Sequence, residues 1–531
     1  SGFYKIYLGL KSVKEKGRDS IWKFILQNTY KPYFLREKFD YVIGNPPWFT
    51  YSSIKNEEYQ NILNELAGNY NVKPERTANF PHLEIAAIFL AHCSSYFLNK
   101  KGKLAFVLPR SFLNTDQHDN TRSGKAKGFK LTQIWDLENV APLFRILSCV
   151  LIAEKNNGKG SLPASGLEGK SFSVKLPAHN CNLKAATPAL MEEPAKWFYV
   201  KQGKSSAFST RKSKKQSKVN SYKKLFKQGA TIVPRTFYFI ELTQQVPPDW
   251  EGRTINIKTS DAIQPDAKAP WKGLNFTGQI ESRFVFRTAL SKSILPFALF
   301  KPDLVVLPIT VEYNREEEKK EIKLYSTDEL RSEGYLLASK WFKNVERIWN
   351  LQKTEKSKDM SSNDRIDYQI GLIDQNLNAP YLVLYNASAK DANATVVRRK
   401  DLDLEFIVES VAYVFYTNDF REANYLCAIL NSATPNLMMK DFQAKGLFGA
   451  RHVHKKILDI YYPKFDKENE THLRLAELSK EAHDKTTKYL KSNPPQKELT
   501  AIHLGRLRVD IKKHLVLELK DIDKLVKKII G

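Results

Sequence analysis

The residues best suited to chemistry form one short segment, Asn45 to Trp48, which closely follows the apolar run Phe39–Ile43. An Asn side-chain oxygen and a main-chain carbonyl can accept both hydrogens of an exocyclic amine on a planar base. Those two contacts would localise the nitrogen lone pair and make a poor nucleophile reactive. Pro46 and Pro47 fix φ and remove two N–H donors that would compete at such a site.

Trp48 adds an aromatic ring beside these two acceptors, which we assign to the Asn45 side chain and the Pro46 carbonyl. Such a ring can stack on a base that has been flipped out of a duplex. The alternative interpretation is a polar turn after a strand, with Trp48 in the core.

The elements around this segment must hold it rigidly, and their patterns predict an α/β arrangement. Short apolar runs predict buried strands over residues 39–43, 104–108, 131–137 and 149–153, and helical spacing predicts a helix over residues 82–100. The polar stretch 114–130 predicts a mobile loop. Strands that alternate with helices predict the C-terminal part of a mostly parallel, doubly wound Rossmann-like sheet. Asn45 would then lie at the carboxyl end of a strand, where ligands collect.

The composition changes near Asn156. Residues 156–170 are rich in Gly, Ser and Lys, and the run Lys201–Lys227 contains ten Lys and Arg residues but no acidic one, which predicts a flexible segment. We therefore predict four regions: a catalytic part over 1–155, a linker and basic segment over 156–218, a mixed α/β region over 219–466, and C-terminal helices over 467–531.

The net charge of +26, from 84 Lys and Arg against 58 Asp and Glu, favours a polyanionic partner, and nucleic acid is the commonest one. A basic ribosomal-type or membrane-surface protein is the alternative. Cys93, Cys149, Cys181 and Cys427 form no Cys-x-x-Cys pair, so we predict neither a zinc ribbon nor a disulfide framework, and a reducing cytosol fits. No apolar run has the length of a membrane span, so we predict no membrane partner.

The segment Asn45–Trp48 resembles motif IV of the adenine-N6 DNA methyltransferases, in which Asn or Asp precedes Pro-Pro and an aromatic residue. Residues 82–113 resemble the helix and strand that follow this loop in the family. Residues 140–150 resemble the family's eighth motif, in which an aromatic ring holds the other side of the extruded base. The resemblance therefore makes Phe144 a base-stacking candidate; a core phenylalanine is the alternative. It implies a site-specific DNA methyltransferase of the prokaryotic cytoplasm that acts on a flipped-out adenine.

Three later segments, over residues 226–235, 422–432 and 445–454, resemble the target-recognition region of large restriction-modification methylases of the type IIG kind. In such enzymes one polypeptide can also carry a nuclease. The resemblance and the basic run together imply double-stranded DNA as the partner, with a solvated loop as the alternative for the run. The candidate DNA-binding residues are Lys212, Lys214, Lys215, Arg235, Arg451, His452 and His454.

The same family binds S-adenosylmethionine at a Phe-x-Gly-x-Gly turn that precedes the catalytic loop, with acidic residues after the next strands. No Gly-x-Gly occurs before Asn45. A dinucleotide-type pocket needs a tight glycine turn and a carboxylate, so we assign no cofactor-binding residue. We expect this chain alone to bind S-adenosylmethionine weakly or not at all and to be inactive until an upstream segment is added.

Other functions remain open. RNA and protein-glutamine methyltransferases use the same loop, although the long recognition region and the positive charge argue against a protein substrate. A non-catalytic DNA-specificity subunit would have no use for the loop. The spacing of Asp303, Glu312 and Asn314 resembles a nuclease active site, but Asn314 stands where that site has a lysine, so we predict no nuclease activity. His452 and His454 have no further ligand nearby in sequence, so we predict no metal site.

Overall fold

A computed structural model of the protein describes residues 2–17, 30–212, 218–244, 252–443, 445–446, 449–450 and 453–530. The chain divides into two compact units. Unit 1 comprises Ser1–Lys215 and Asp441–Ala450, and unit 2 comprises Gln216–Lys440 and Arg451–Gly531. The polypeptide therefore passes from one unit to the other three times.

Unit 1 is built on a seven-stranded sheet with the order β1-β2-β4-β3-β5-β6-β7. Its strands are β1 (Phe39–Gly44), β2 (Leu98–Pro109), β3 (Lys127–Ala141), β4 (Ser148–Lys159), β5 (Leu167–Lys175), β6 (Met191–Gln202) and β7 (Ser205–Ser209). Its helices are α1 (Gly2–Glu15), α2 (Glu57–Asn69), α3 (Ala86–Tyr96), α4 (Asp119–Arg122) and α5 (Leu183–Ala186). The short strands Lys445–Gly446 and Gly449–Ala450 form a hairpin.

The predicted α/β class is confirmed, but the sheet is mixed rather than mostly parallel. Only the pairs β1–β2 and β3–β5 are parallel. Strand β4 lies between β2 and β3 and runs antiparallel to both, so β1, β2 and β3 point the same way. The two central apolar runs of β2 and β4 do not reveal direction, because a strand buried by its neighbours looks the same in either orientation.

The two faces of this sheet differ in what covers them. On one face, Leu104 and Phe106 of β2 and Leu151 of β4 form a core with α2 and α3. On the opposite face of β1, Tyr41 and Ile43 are 70% and 83% exposed. On β2, β3 and β4, the residues at the paired positions extend this face with partly exposed apolar side chains: Ala105, Val107, Trp135, Val150 and Ile152. An apolar sheet face is normally covered by a second layer, so this surface has the character of an interface.

The segment Asn114–Lys130 is not the mobile loop that its polarity predicts. Asn114, His118, Asn120 and Arg122 are all buried. Their polar groups bond to distant parts of unit 1: the Arg122 guanidinium donates to Ser206 Oγ at 2.9 Å, and Asn114 Nδ2 donates to the Gln443 carbonyl at 2.7 Å. Polar composition therefore marks buried hydrogen bonds here, not solvent.

Residues predicted as a linker and basic segment contribute strands to the sheet. Strands β5, β6 and β7 follow Asn156, and Ser205–Ser209 is buried although it lies inside the basic run. Residues Asp441–Ala450, where the chain returns to unit 1, begin beside this region, since Ser209 Oγ donates to Asp441 at 2.7 Å. Short Ser-rich strands carry little apolar signal, which is why composition alone reads them as flexible.

The described residues of unit 2 form two larger antiparallel sheets, the two-stranded sheets β13-β14 and β16-β17, and several long helices, in agreement with the predicted mixed α/β region and C-terminal helices. One sheet has the order β11-β10-β9-β15-β12 and the other β19-β18-β20-β8. The strands are β8 (Lys227–Gln228), β9 (Phe239–Leu242), β10 (Thr254–Thr259), β11 (Thr277–Glu281), β12 (Val285–Thr288), β13 (Ile294–Leu295), β14 (Ala298–Leu299), β15 (Asp303–Val306), β16 (Ile309–Asn314), β17 (Lys319–Leu324), β18 (Tyr381–Asn386), β19 (Ala394–Arg398) and β20 (Ala412–Thr417). The helices are α6 (Arg235–Tyr238), α7 (Thr327–Ser332), α8 (Leu336–Gln352), α9 (Ser362–Ile366), α10 (Phe420–Asn431), α11 (Ala433–Met439), α12 (Glu470–Ser492), α13 (Ala501–His514) and α14 (Val516–Ile530).

Helix α10 is the centre of the larger core in unit 2. Asp419 caps its first turn by accepting from the amides of Arg421 and Glu422, and every residue from Ala423 to Asn431 is buried. A half-buried histidine connects the neighbouring elements: His483 of α12 donates to the Ser479 carbonyl at 2.7 Å and accepts from a β19 amide at 3.0 Å. Burial lowers the pKa of His483 to about 4, so the ring is neutral in the folded unit.

Candidate active site

The predicted catalytic loop begins at the carboxyl end of β1. Gly44, the last residue of the strand, pairs with Phe106 of β2, and Asn45 follows with its side chain exposed. Pro46 is buried and Pro47 is exposed. Within the described residues, no hydrogen bond occupies the Asn45 side chain, so its oxygen is available to a ligand.

Trp48 and Phe144, the two predicted base-stacking residues, lie against each other. Their ring centroids are 5.0 Å apart with an interplanar angle of 65°, an edge-on contact. The Trp48 indole N–H donates to the Val107 carbonyl of β2 at 3.2 Å, which fixes one ring. Phe144 lies between β3 and β4 and is 38% exposed, so it is not a core phenylalanine.

The gap between the two rings is too small for a base. Bases stack about 3.4 Å apart, so a base held between two parallel rings needs roughly 7 Å. Phe144 belongs to residues 142–147, which form no helix or strand. Trp48 is held by β2, so Phe144 is the ring that would have to move if a base entered between them.

The end of β2 is joined to the segment that carries Phe144. The Arg110 amide donates to the Leu147 carbonyl at 2.8 Å. The buried Arg110 guanidinium binds Asp136 of β3 through two hydrogen bonds of 2.9 and 2.8 Å and also pairs with Glu138 at 2.8 Å. Burial alone would lower the pKa of Arg110, but these carboxylates outweigh it and raise that pKa. The charged cluster thus holds β2, β3 and the base of the Phe144 segment together.

The loop has a further support that sequence patterns do not reveal. The Phe49 carbonyl accepts from the Ile85 amide at 2.9 Å, and the Tyr51 amide donates to the Leu83 carbonyl at 2.8 Å. Residues 49–51 therefore form a short antiparallel ladder with the segment before α3, around the bridge between Thr50 and Glu84. A bridge of one residue pair leaves no periodic signal, so the sequence does not predict it.

The predicted basic DNA arm is only partly described. Lys212 is exposed, whereas Lys214 and Lys215 lie outside the described residues. Further along the run, Lys223 pairs with Asp459, and Lys227 pairs with Asp374 at 2.6 Å. Within the described part of the run, these two cations are thus engaged inside unit 2.

The other predicted DNA-binding residues lie in unit 2. Arg235, the first residue of α6, pairs with the buried Glu409 at 3.4 Å. Burial raises the pKa of Glu409, and Arg235 opposes that rise. The His454 side chain is exposed, and its amide donates to the Ala387 carbonyl at 2.9 Å. Arg451 and His452 lie outside the described residues.

No cluster of three or more His, Cys, Asp or Glu residues in the described part of the chain could hold a metal ion. The nuclease-like carboxylates have other contacts: Asp303 pairs with Lys292 at 3.6 Å, and Glu312 accepts from the Tyr325 hydroxyl at 3.0 Å. Among the described helices, none is both long and apolar enough to cross a membrane.

Within the part of the chain that the structure describes, the residues at the loop do not form a complete cofactor site for S-adenosylmethionine. The strand before the loop, β1, is the edge strand of its sheet, with β2 as its partner in the described residues. One face of β1 carries the exposed Tyr41 and Ile43. No Gly-x-Gly turn precedes Asn45 in the sequence.

Solved restriction-modification enzymes resemble this chain. The type IIL enzyme MmeI, solved in complex with DNA, has a TM-score of 0.51 and 14% identity, over 92% of this chain and 54% of that one. This likeness shows a shared fold. The type IIG endonuclease BpuSI has a TM-score of 0.28 and 11% identity, over 94% of this chain and 55% of its own. The chain thus spans about half the length of these enzymes.

The type ISP enzyme LlaBIII, solved bound to DNA, has a TM-score of 0.37 and 10% identity, over 84% of this chain and 30% of its own. A comparison with curated protein sequences finds no match. One family model does match: residues 7–144, which include β1, the Asn45 loop and Phe144, match the family described as Eco57I restriction-modification methylase.

Proposed function

We propose that this chain is the acceptor-binding and DNA-recognising part of a DNA methyltransferase that modifies adenine N6 within a restriction-modification system. The observation that carries the proposal is the exposed Asn45 at the carboxyl end of β1, with Trp48 and Phe144 beside it. The methylase family match over residues 7–144 and the fold shared with MmeI support it.

In this proposal the loop prepares the amine of a flipped-out adenine. The Asn45 side-chain oxygen and the Pro46 carbonyl accept the two N6 hydrogens, which draws the nitrogen out of conjugation with the ring. Both prolines hold the two acceptors still, so little reorganisation is needed at the moment of reaction. Trp48 and the displaced Phe144 stack on the two faces of the base.

The donor, S-adenosylmethionine in this proposal, would be bound by a segment that completes the sheet. Among the described strands, β1 pairs with β2 alone, so its other edge offers main-chain groups to a further strand. The exposed face with Tyr41 and Ile43 offers apolar surface to helices of the same segment. We propose that an upstream part of the same polypeptide fills both positions.

Double-stranded DNA is the proposed partner because the chain carries a net charge of +26 and includes unit 2 as a large second unit. The positive surface would neutralise backbone phosphates, and base contacts from unit 2 would select the site. The candidate residues for these contacts remain Lys212, Lys214, Lys215, Arg235, Arg451, His452 and His454.

A methyl-transfer assay tests the proposal. The polypeptide with its upstream segment, in cis or co-expressed, is incubated with tritiated S-adenosylmethionine and duplex DNA, RNA or protein. We expect label on N6 of adenine in DNA, none with Asn45→Ala, and none with this chain alone. If only RNA or only protein is labelled, that molecule and not DNA is the substrate. If Asn45→Ala labels DNA at the normal rate, the proposed role of the loop is refuted.

A further inference from the structure

Glu84 is a buried acidic side chain that the proposed chemistry does not use. The residue is 9% exposed and lies just before α3, where its carbonyl accepts from the Ala87 amide at 3.0 Å. Its backbone faces Thr50 in the ladder that follows the catalytic loop. Burying a carboxylate costs free energy unless several donors surround it, so its presence here calls for a physical reason.

Three donors surround the Glu84 carboxylate. Ser111 Oγ donates to Oε1 at 2.6 Å, His118 Nε2 donates to Oε2 at 2.5 Å, and Gln117 Nε2 donates to Oε2 at 3.3 Å. Burial acts to raise the pKa of Glu84, but the interaction with His118 and the hydrogen bonds from Ser111 and Gln117 bring it down to about 2. The carboxylate is therefore ionised, and its orientation is fixed.

These three donors all come from the segment that directly follows β2. Strand β2 also carries the Val107 carbonyl, which accepts the hydrogen bond from the Trp48 indole. The catalytic loop is thus supported at both ends: Gly44 pairs with β2, and residues 49–51 pair with the segment of Glu84. Glu84 links that second support back to the end of β2.

We propose that Glu84 is a positioning residue for the Asn45 loop, and that Ser111 and His118 are its partners. The inference rests on the proposed function. An apolar side chain could fill the same space, and replacing buried ion pairs in that way is often neutral for stability. A group that accepts directed hydrogen bonds, in contrast, fixes the position of the Glu84 backbone that pairs with Thr50. That pairing in turn fixes the positions of the Asn45 and Pro46 oxygens.

The kinetic test compares Glu84→Gln and Ser111→Ala with a matched control in the completed enzyme. Glutamine keeps the size of the side chain, but it removes the negative charge and leaves one acceptor oxygen where the carboxylate has two. The control is Tyr199→Phe, which removes a 2.8 Å hydrogen bond to the carboxylate of Asp119 elsewhere in unit 1. We expect kcat to fall about 10- to 100-fold in Glu84→Gln, because small displacements of reacting groups are that costly, with DNA affinity unchanged.

We expect a smaller loss of kcat in Ser111→Ala. The variant that carries both substitutions should have the same kcat as Glu84→Gln alone, because both residues act through one linkage. A normal kcat in Glu84→Gln, or an equal loss of kcat in Tyr199→Phe, would overturn the proposal, because the effect would then be absent or merely structural. If the wild-type enzyme methylates no substrate, the proposed function fails instead, and the next measurement decides about Glu84.

Hydrogen exchange tests the linkage in this chain without any activity. In Glu84→Gln, the amides of residues 48–53 should exchange about tenfold faster, as expected when a hydrogen bond to a charged group is lost. Peptides from α10 and α12 in unit 2 should be unchanged, and Tyr199→Phe should leave residues 48–53 protected. Equal protection of residues 48–53 in Glu84→Gln and wild type would overturn the proposal.

Discussion

We expect Phe144→Ala to weaken capture of the flipped base. The loss of binding free energy should be smaller than the stacking energy that the substitution removes. In the resting chain Phe144 packs edge-on against Trp48 with centroids 5.0 Å apart. A base can enter only if that contact is broken. Phe144→Ala removes the stacking partner of the base, but it also removes the contact that the base must displace.

The two effects have opposite signs and comparable sizes. Stacking of a base on an aromatic ring contributes ~1–3 kcal/mol. An edge-on aromatic pair contributes ~0.5–1.5 kcal/mol beyond its buried area. The mid-range difference is about 1 kcal/mol, so Phe144→Ala should capture the base about fivefold less well. Because Phe144 is 38% exposed, we expect the variant to fold normally.

The assay measures base capture apart from DNA affinity. The modified adenine is first located by sequencing DNA from cells that express the completed enzyme, and 2-aminopurine is then placed at that position. Fluorescence of the unstacked analogue reports capture, and anisotropy of a labelled duplex reports overall binding. If Phe144 only covers Trp48 and never touches the base, Phe144→Ala should capture the base better than wild type. A gain of that kind would refute the stacking role.

Three further outcomes are expected. Asn45→Ala should abolish methyl transfer while DNA affinity, measured by anisotropy, changes less than about twofold, since affinity comes mainly from phosphate contacts; a large loss of affinity would contradict the acceptor role. Replacing Lys212, Lys214 and Lys215 together by Ala should reduce the slope of log affinity against log salt by up to about 3, whereas an unchanged slope would mean a solvated loop. Unit 2 should lose stability as pH falls from 6.5 to 4, because His483 is neutral when folded with a pKa of about 4 and must be protonated on unfolding. The loss should approach ~3 kcal/mol in urea titrations followed by hydrogen exchange of α12, and His483→Gln should remove it; an identical pH slope in that variant would show that other groups are responsible.

The position of Asn45 is the part of the site that could be predicted from the sequence alone. An apolar run ending at a glycine marks β1, and Pro-Pro cannot continue the strand, so Asn45 must follow its end. The contact between Trp48 and Phe144 could be expected only through the family resemblance, because the 95 residues between them leave no local pattern.

The rest of the site depends on contacts between residues far apart in sequence. Arg122 is polar and charged, so local reasoning places it in solvent, yet it is buried through bonds that reach Ser206. Glu84 likewise lies in a segment whose neighbours predict only the start of a helix. Charged residues become buried when donors and acceptors from elsewhere in the fold satisfy them, and no local periodicity encodes that pairing.

The short return of the chain to unit 1 has a practical consequence for building chimaeras. Asp441 accepts from Ser209 and Gln443 accepts from Asn114, so this segment belongs to the scaffold around the sheet although the chain on both sides of it belongs to unit 2. A transplant of unit 2 from a relative through one junction near Lys215 would import a foreign copy of this segment. Grafts that retain the host's 441–443, or that exchange Asn114 and Ser209 with the donor's, should therefore express better than single-junction fusions.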